Sequence, residues 1–159
     1  MTRATSTILL WLFVINLGIA FGAGVYEHRI VVPNWLHSES GEPTWNPQAV
    51  QRDDTGRRFW AFVTTVPLTL VTLANLFAAW RAPGELRPWW LAAALLAVAD
   101  RALTLGYFIP TMVGLMNASP SPEALAAAIR WSNLNYVRHA LVLAAWLSAL
   151  KAFAASHAR

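Results

Sequence analysis

The sequence predicts an all-α integral membrane protein, a four-helix bundle with a folded cap between its first and second helices. Three observations carry this prediction, and the first two are compositional: 57% of the 159 residues are hydrophobic, and only 13% are charged. Soluble domains carry about 45–50% apolar and about 25% charged residues, so water is not the only solvent of this chain. The third observation is length, since each bilayer crossing needs about 20 apolar residues and about four crossings fit.

The composition also excludes several classes of protein. The absence of cysteine removes disulfide scaffolds, thiolate metal sites and thiol nucleophiles. The net charge of +4 comes from 12 Lys and Arg against 8 Asp and Glu, without a basic cluster that could read a groove. We therefore expect no nucleic-acid partner, and we expect one transmembrane domain over 1–159.

Stretches with few or no charges place the spans at about 5–27, 59–80, 89–116 and 131–151. The first begins like a signal peptide, but its apolar stretch is long and has no clear cleavage site, so we interpret it as a retained helix. Small residues at four-residue spacing along it favour close approach of another helix: Gly18, Ala20, Gly22 and Gly24.

The second span contains Pro67, whose missing N–H predicts a kink. Four polar side chains share one face of this span at helical spacing: Thr65, Thr69, Thr72 and Asn75. The hydroxyls either bond back to their own helix, which is the commoner case, or form a polar lining.

The segment 28–58 is the only long connection, and we expect it to fold as a cap over one end of the bundle because it is rich in tryptophan and proline. Lys and Arg are equally numerous on the two sides of the four spans, but those of the cap side are diluted among four carboxylates. This weak asymmetry favours both termini in the cytoplasm, in a bacterial inner membrane.

Three charged side chains lie deep in the predicted spans: Asp100, Arg101 and Arg138, with His139 adjacent to the last. Each costs about 2.5–3.5 kcal/mol on insertion, so such groups are paired or functional. Asp100 and Arg138 have matched depth and opposite charge, which is consistent with a structural ion pair between helices. The other interpretation is that the second arginine makes an electropositive pocket for an anionic or enol-type ligand, unless it extends towards an interface.

Polar side chains form a stripe on each of the last two spans. On the third span Asp100, Thr104, Tyr107 and Thr111 share a face. On the fourth, Asn135 belongs to two adjacent faces, one with Trp131 and Arg138 and the other with Ser132 and His139. Two inward polar stripes predict a site in the bundle core, and its aromatic surroundings suit an aromatic or lipid-soluble ligand.

The first span ends in Glu27 and His28, and either side chain is a candidate general base or simply part of a hydrated helix end.

A metal site needs three or four converging ligands, and the four candidates (Glu27, His28, His37 and His139) lack metal-ligand spacing. We therefore expect no metal and no cofactor. The remote alternative is a haem or metal held by His28 and His139.

Four short motifs resemble the anthrone-oxygenase-like family of small four-helix membrane proteins: the run from Gly24 to Trp35, Arg58-Phe59-Trp60 with Pro67, Tyr107-Phe108-Ile109-Pro110, and the run from Trp131 to Arg138. The resemblance implies a four-helix membrane bundle. For the fungal polyketide branch it also implies oxygenation of an anthrone to an anthraquinone without an obvious cofactor. On matching positions it implies site roles for five residues: Glu27, Arg58, Tyr107, Trp131 and Arg138.

These observations lead to a hypothesis of a membrane oxygenase or oxidoreductase acting on a hydrophobic, polyketide- or quinone-like aromatic. The candidate catalytic residues are Glu27, Arg138 and His139. The candidate substrate-binding residues are Arg58, Trp60, Asp100, Arg101, Tyr107, Trp131 and Asn135.

Two alternatives stay open. The first is a non-enzymatic membrane subunit or small-ligand binder whose Asp–Arg pair is structural. A transporter is less favoured because the chain has no inverted repeat. The expected partners are the bilayer, a hydrophobic small molecule, and a second copy or another subunit of a membrane complex.

Overall fold

The computed structural model describes residues 3–38 and 40–157, and no β-strand occurs within these ranges. Four helices in them are long and apolar enough to span a membrane: Ala4–Trp35, Gly56–Trp80, Leu86–Met116 and Pro122–Ser156. The predicted all-α fold with four long apolar helices is thereby confirmed.

We number the helices of the described chain in order. Helix α1 comprises Arg3–Tyr26, a π-helical turn at Glu27–Val31 and a last turn at Val32–Trp35. The short helix α2 is Pro47–Asp53. Helix α3 comprises the π-helical Gly56–Thr65 and the α-helical Val66–Trp80. Helix α4 comprises Leu86–Leu103, a π-helical turn at Thr104–Phe108 and Ile109–Met116, and α5 is Pro122–His157.

The π-helical segments have a common cause in the sequence. Each is followed two residues later by a proline: Pro33, Pro67 and Pro110. Proline has no N–H, and its ring clashes with the carbonyl four residues earlier, so a wider turn relieves the crowding. In each case the residue before the proline donates its N–H to the carbonyl five residues back: Val32 to Glu27, Val66 to Ala61, and Ile109 to Thr104.

The four long helices pack as a ring in which α1 contacts α3 and α5, and α4 contacts the same two helices. Buried alanines on α4 and α5 let these two helices approach closely, and Phe13, Leu17 and Leu68 fill the centre. Of the small residues on α1, Ala20 and Gly24 are buried. A Cβ at Gly24 would lie 3.0 Å from Nε2 of His139, whereas one at Gly22 would meet nothing within 4 Å.

Two helix boundaries differ from the sequence expectation. Helix α1 continues to Trp35 instead of ending near 27, because the π turn accommodates Pro33 within the helix. Helix α5 begins at Pro122 rather than near 131, since proline suits the first turn of a helix. The connection between α1 and α3 is therefore shorter than 28–58.

Indole and amide hydrogen bonds anchor this connection to the end of α1 and to the last turn of α4. Trp35 Nε1 at the end of α1 donates to Asp53 Oδ2 at 2.9 Å. Trp45 Nε1 donates to the carbonyl of Leu115 at 2.8 Å, and Gln51 Nε2 donates to the carbonyl of Met116 at 2.7 Å. The connection thus lies against the carboxyl end of α4.

The opposite end of the bundle is held by Asn75. Its Oδ1 accepts from Trp90 Nε1 at 2.8 Å, and its Nδ2 donates to the carbonyls of Leu9 and Val71. One buried amide therefore links α1, α3 and α4. Thr69, on the same stripe of α3, bonds back to the carbonyl of Thr65, which is the commoner of the two expected behaviours.

We predict that Asn75→Ala destabilises the protein by about 1–3 kcal/mol, because the Trp90 N–H stays buried without an acceptor. Thermal unfolding in detergent, followed by circular dichroism, measures the loss. The control is Asn34→Ala, which removes only a bond to the carbonyl of Ile30 on its own helix. Equal melting temperatures for the Asn75→Ala and Asn34→Ala variants would contradict the prediction.

Candidate functional site

A cavity of about 670 Å³ lies between the π-helical half of α3, the carboxyl half of α4 and one face of α5. Its polar floor includes Glu27, Arg101, Thr104 and Arg138. Its walls are mainly apolar or aromatic: Trp35, Val50, Trp60, Ala61, Phe108, Ile109, Met112, Val113, Met116 and Trp131. A large apolar cavity with a few convergent polar groups is the usual form of a small-molecule site.

One buried carboxylate holds the two deep arginines at the floor. Asp100 is fully buried, and its Oδ2 accepts hydrogen bonds from Nε and Nη2 of Arg101, the former at 3.0 Å. Its Oδ1 accepts from Nε of Arg138 at 3.3 Å. The inter-helix ion pair expected from matched depth is confirmed, and it also includes Arg101.

The arginines keep hydrogen-bonding capacity beyond this pair. Arg101 is only 6% exposed, and its Nη1 is buried with no hydrogen-bond partner among the described residues. Nη1 of Arg138 donates to Oδ1 of Asn135 at 3.1 Å, and its guanidinium lies 4.7 Å above the Phe108 ring centroid. A buried guanidinium donor without a partner is costly, so an anionic or carbonyl oxygen bound nearby would be stabilised.

Glu27 faces the same cavity from α1. Its Oε1 accepts from Nε1 of Trp60 at 2.7 Å, so the indole fixes the orientation of the carboxyl group. Glu27 is the first residue of the π turn of α1. Glu27 and the two arginines therefore surround one space from three different helices.

On α5, Trp131 lines the large cavity and Asn135 supports Arg138 beside it. Trp131 is buried, and its Nε1 donates to the carbonyl of Phe108 at 3.1 Å. The Trp131 ring packs at the edge of Phe108, with centroids 5.8 Å apart. Asn135 bonds to the carbonyl of Trp131 and to Arg138, so it positions the arginine rather than facing the large cavity.

His139 lies beside the large cavity, not in it. It lines a separate cavity of about 20 Å³, together with Gly24, His28 and Arg138. The rings of His28 and His139 are 5.5 Å apart between centroids, and Tyr136 packs on His28 at 4.5 Å. A space of this size is enough for one water molecule.

The structure brings together most of the residues that the sequence selects. Seven of the ten line one or both cavities: Glu27, Trp60, Arg101, Trp131, Asn135, Arg138 and His139. Asp100 lies beneath them and holds the arginines. Arg58 is exposed and lines neither cavity, and Tyr107 packs against the cluster beneath the connection instead. These two positions are not brought to the site.

No three His, Asp or Glu side chains of the described chain converge in a way that could hold a metal ion. His28 and His139 are neighbours, but their only shared space is the small cavity. The expectation that the protein needs no metal or haem stays a prediction.

Several lining residues were not selected from the sequence: Thr55, Thr64, Phe108, Met112 and Met116. Most lie on or next to a π-helical segment. The signal that could have located them is the set of prolines two residues after these segments, which marks where the helices widen.

Comparison of the chain with protein-family models, with curated proteins and with solved structures finds no match. The site is therefore interpreted from its own geometry.

We predict that Asp100→Asn lowers the free energy of unfolding by about 3–5 kcal/mol, because two buried guanidinium groups lose their shared carboxylate. The measurement is thermal or denaturant unfolding in detergent. Asp54→Asn is the matched control, since Asp54 pairs with the exposed Arg57 and such a pair contributes about 0–1 kcal/mol. A loss for Asp100→Asn no larger than that of the control would contradict a structural role of the carboxylate.

Proposed function

We propose that the protein is an integral protein of a bacterial inner membrane, with both termini in the cytoplasm, that oxidises a hydrophobic aromatic molecule in the large cavity. The single observation that carries the proposal is the arrangement of Glu27 opposite Arg101 and Arg138 at the floor of a cavity whose walls are mainly apolar or aromatic. The resemblance to anthrone-oxygenase-like proteins favours the same class of substrate.

The charges of the site suit removal of a proton from a phenol or enol. When Glu27 is ionised, its charge and that of Asp100 balance the two arginines. Transfer of the substrate proton to Glu27 moves one negative charge onto the substrate oxygen, between the same arginines. The guanidinium donors then stabilise the enolate in a site shielded from water.

The oxidation that follows needs only dioxygen as a co-reactant. The enolate carbon forms a bond to O2, and a proton gives the hydroperoxide. Loss of water breaks the O–O bond and leaves a carbonyl on the carbon, so a CH2 group and O2 become C=O and H2O. The carbon is oxidised, and both oxygen atoms of O2 are reduced.

Glu27 is the stronger candidate for the base than His139. Glu27 lines the large cavity, and Trp60 holds its carboxyl group in place. His139 lines only the small cavity, which has no room for a ring system.

A second candidate function is a non-enzymatic ligand-binding subunit. The observation that favours it is that both oxygens of Asp100 bond to arginine, as expected of a group that joins α4 to α5. In that case the cavity binds its ligand without converting it.

For the location, we predict that the protein stays in the membrane pellet after an alkaline carbonate wash, because four long apolar helices hold it in the bilayer. Immunoblotting of pellet and supernatant measures the distribution, with a peripheral membrane protein as the released control. Complete release into the supernatant would contradict an integral location.

For the reaction, we predict that the purified protein consumes dioxygen in the presence of anthrone. Glu27→Gln should lower the rate by about 10²–10⁴-fold through loss of the base, since the amide can still accept from Trp60. Arg101→Met should lower it by about 10²–10³-fold through loss of enolate stabilisation. An oxygen electrode, with anthraquinone quantified by chromatography, measures the turnover.

The control for the arginine variant is Arg87→Met. Arg87 is exposed at the start of α4 and stacks on Trp80, outside both cavities. Wild-type protein without anthrone-dependent oxygen uptake, or Arg101→Met protein as active as Arg87→Met protein, would contradict the proposed reaction. Tight anthrone binding without uptake would favour the second candidate function.

A further inference from the structure

Helices α3 and α4 are neighbours that pack together at one end and separate at the other. Val66–Trp80 of α3 packs along Leu86–Leu103 of α4. The segments beyond, Gly56–Thr65 and Thr104–Met116, have no comparable packing between them within the described chain. The change occurs at the π-helical segments, where Pro67 and Pro110 force wider turns, and the large cavity lies in the resulting gap.

The gap opens on the outside of the helix ring, because α3 and α4 follow one another around it. We call this opening the side cleft and define it by Ala61 and Thr65 of α3 and by Ile109 and Val113 of α4, all of which line the cavity. Val113 is 54% exposed and Ile109 is 40% exposed. The side cleft is therefore mostly apolar, and its residues belong to two helices that are long and apolar enough to span a membrane.

The end of the same cavity is covered by the connection between α1 and α3. Trp45 and Gln51 bond to the last turn of α4, as described above, and the connection then leads into the first turn of α3. The cavity lining at this end is polar, with Gln51, Asp54 and Arg57, and Asp54 is paired with Arg57. This end presents a polar, partly exposed surface to an apolar molecule.

We infer that the side cleft is the route by which a molecule dissolved in the bilayer, with an apolar body and one acidic oxygen, reaches the arginines. The membrane supplies such a molecule directly to the apolar rim of the cleft. The acidic oxygen then meets Arg101 and Arg138 at the floor, and the body lies against Phe108 and Met112. The inference rests on the membrane location proposed above and not on the oxidation chemistry.

The test uses the absence of cysteine from the chain, so one introduced thiol is the only one present. Thr64→Cys places a thiol at a position that is 1% exposed and lines the cavity, and Ala61→Cys is a second reporter at the cleft. Each variant, reconstituted in liposomes, is treated with an apolar pyrene maleimide that partitions into the bilayer or with a sulfonated maleimide that stays in water. Mass spectrometry measures the rate of modification.

Bulky substitutions then identify the route. Val113→Trp narrows the side cleft, Gln51→Trp narrows the connection end, and Leu70→Trp adds the same bulk to an exposed position outside the cavity. We expect the pyrene reagent to modify Cys-bearing protein much faster than the sulfonated one. Val113→Trp should slow this modification by an order of magnitude or more, whereas Gln51→Trp and Leu70→Trp should leave it unchanged.

Three results would overturn the inference: faster modification by the sulfonated reagent, slowing by Gln51→Trp equal to or greater than that by Val113→Trp, or no modification of either thiol unless the protein is denatured. None of these results depends on oxygen uptake. A failure of the side route is therefore distinguishable from a failure of the proposed oxidation.

Discussion

The structure depends on one carboxylate shared by two guanidinium groups inside a helix bundle. Among the residues that the structure describes, Asp100 alone joins α4 to α5 by charge, and it fixes both Arg101 and Arg138 at one level of the core. Burying three charges is costly, and replacing such a group by apolar residues is often neutral or stabilising. Stability alone therefore explains the cluster poorly. Its position at the floor of a large cavity suits the ligand binding that we propose. Asp100 holds the arginines, and the arginines face the cavity in which we propose that a ligand binds.

The cavity itself follows from three prolines. In α1, α3 and α4 a proline lies two residues after a π-helical segment, and the turn before it widens because the proline cannot donate a hydrogen bond. Widened turns shift the side chains that follow, so α3 and α4 diverge beyond Val66 and Leu103 instead of packing to their ends. The connection between α1 and α3 then covers the end of the gap through Trp45. The buried charged cluster and the widened turns therefore lie beside the same cavity.

The fold class and the floor of the site were predictable from the sequence, because both depend on where apolar runs are interrupted by charge. The matched depth of Asp100 and Arg138 follows from counting residues along two spans, and the ion pair forms as expected. The continuation of α1 to Trp35 was not predictable in this way, since proline usually ends a helix and a π turn leaves no pattern in hydropathy. Arg58 was selected through resemblance, and Tyr107 both through resemblance and through the polar stripe of the third span. Their side chains lie outside the cavities because neither a short motif nor residue spacing alone determines which way a side chain faces.

The central claim is that the arginines held by Asp100 bind an acidic oxygen on an apolar molecule. Native mass spectrometry of the protein released from its own membranes, followed by identification of the released ligand, tests it directly. We predict a stoichiometric, apolar molecule carrying a phenol, enol or carboxylate, bound to wild-type protein and lost from the Arg101→Met variant. A wild-type protein without such a ligand, or one retained equally by Arg101→Met, would contradict the claim.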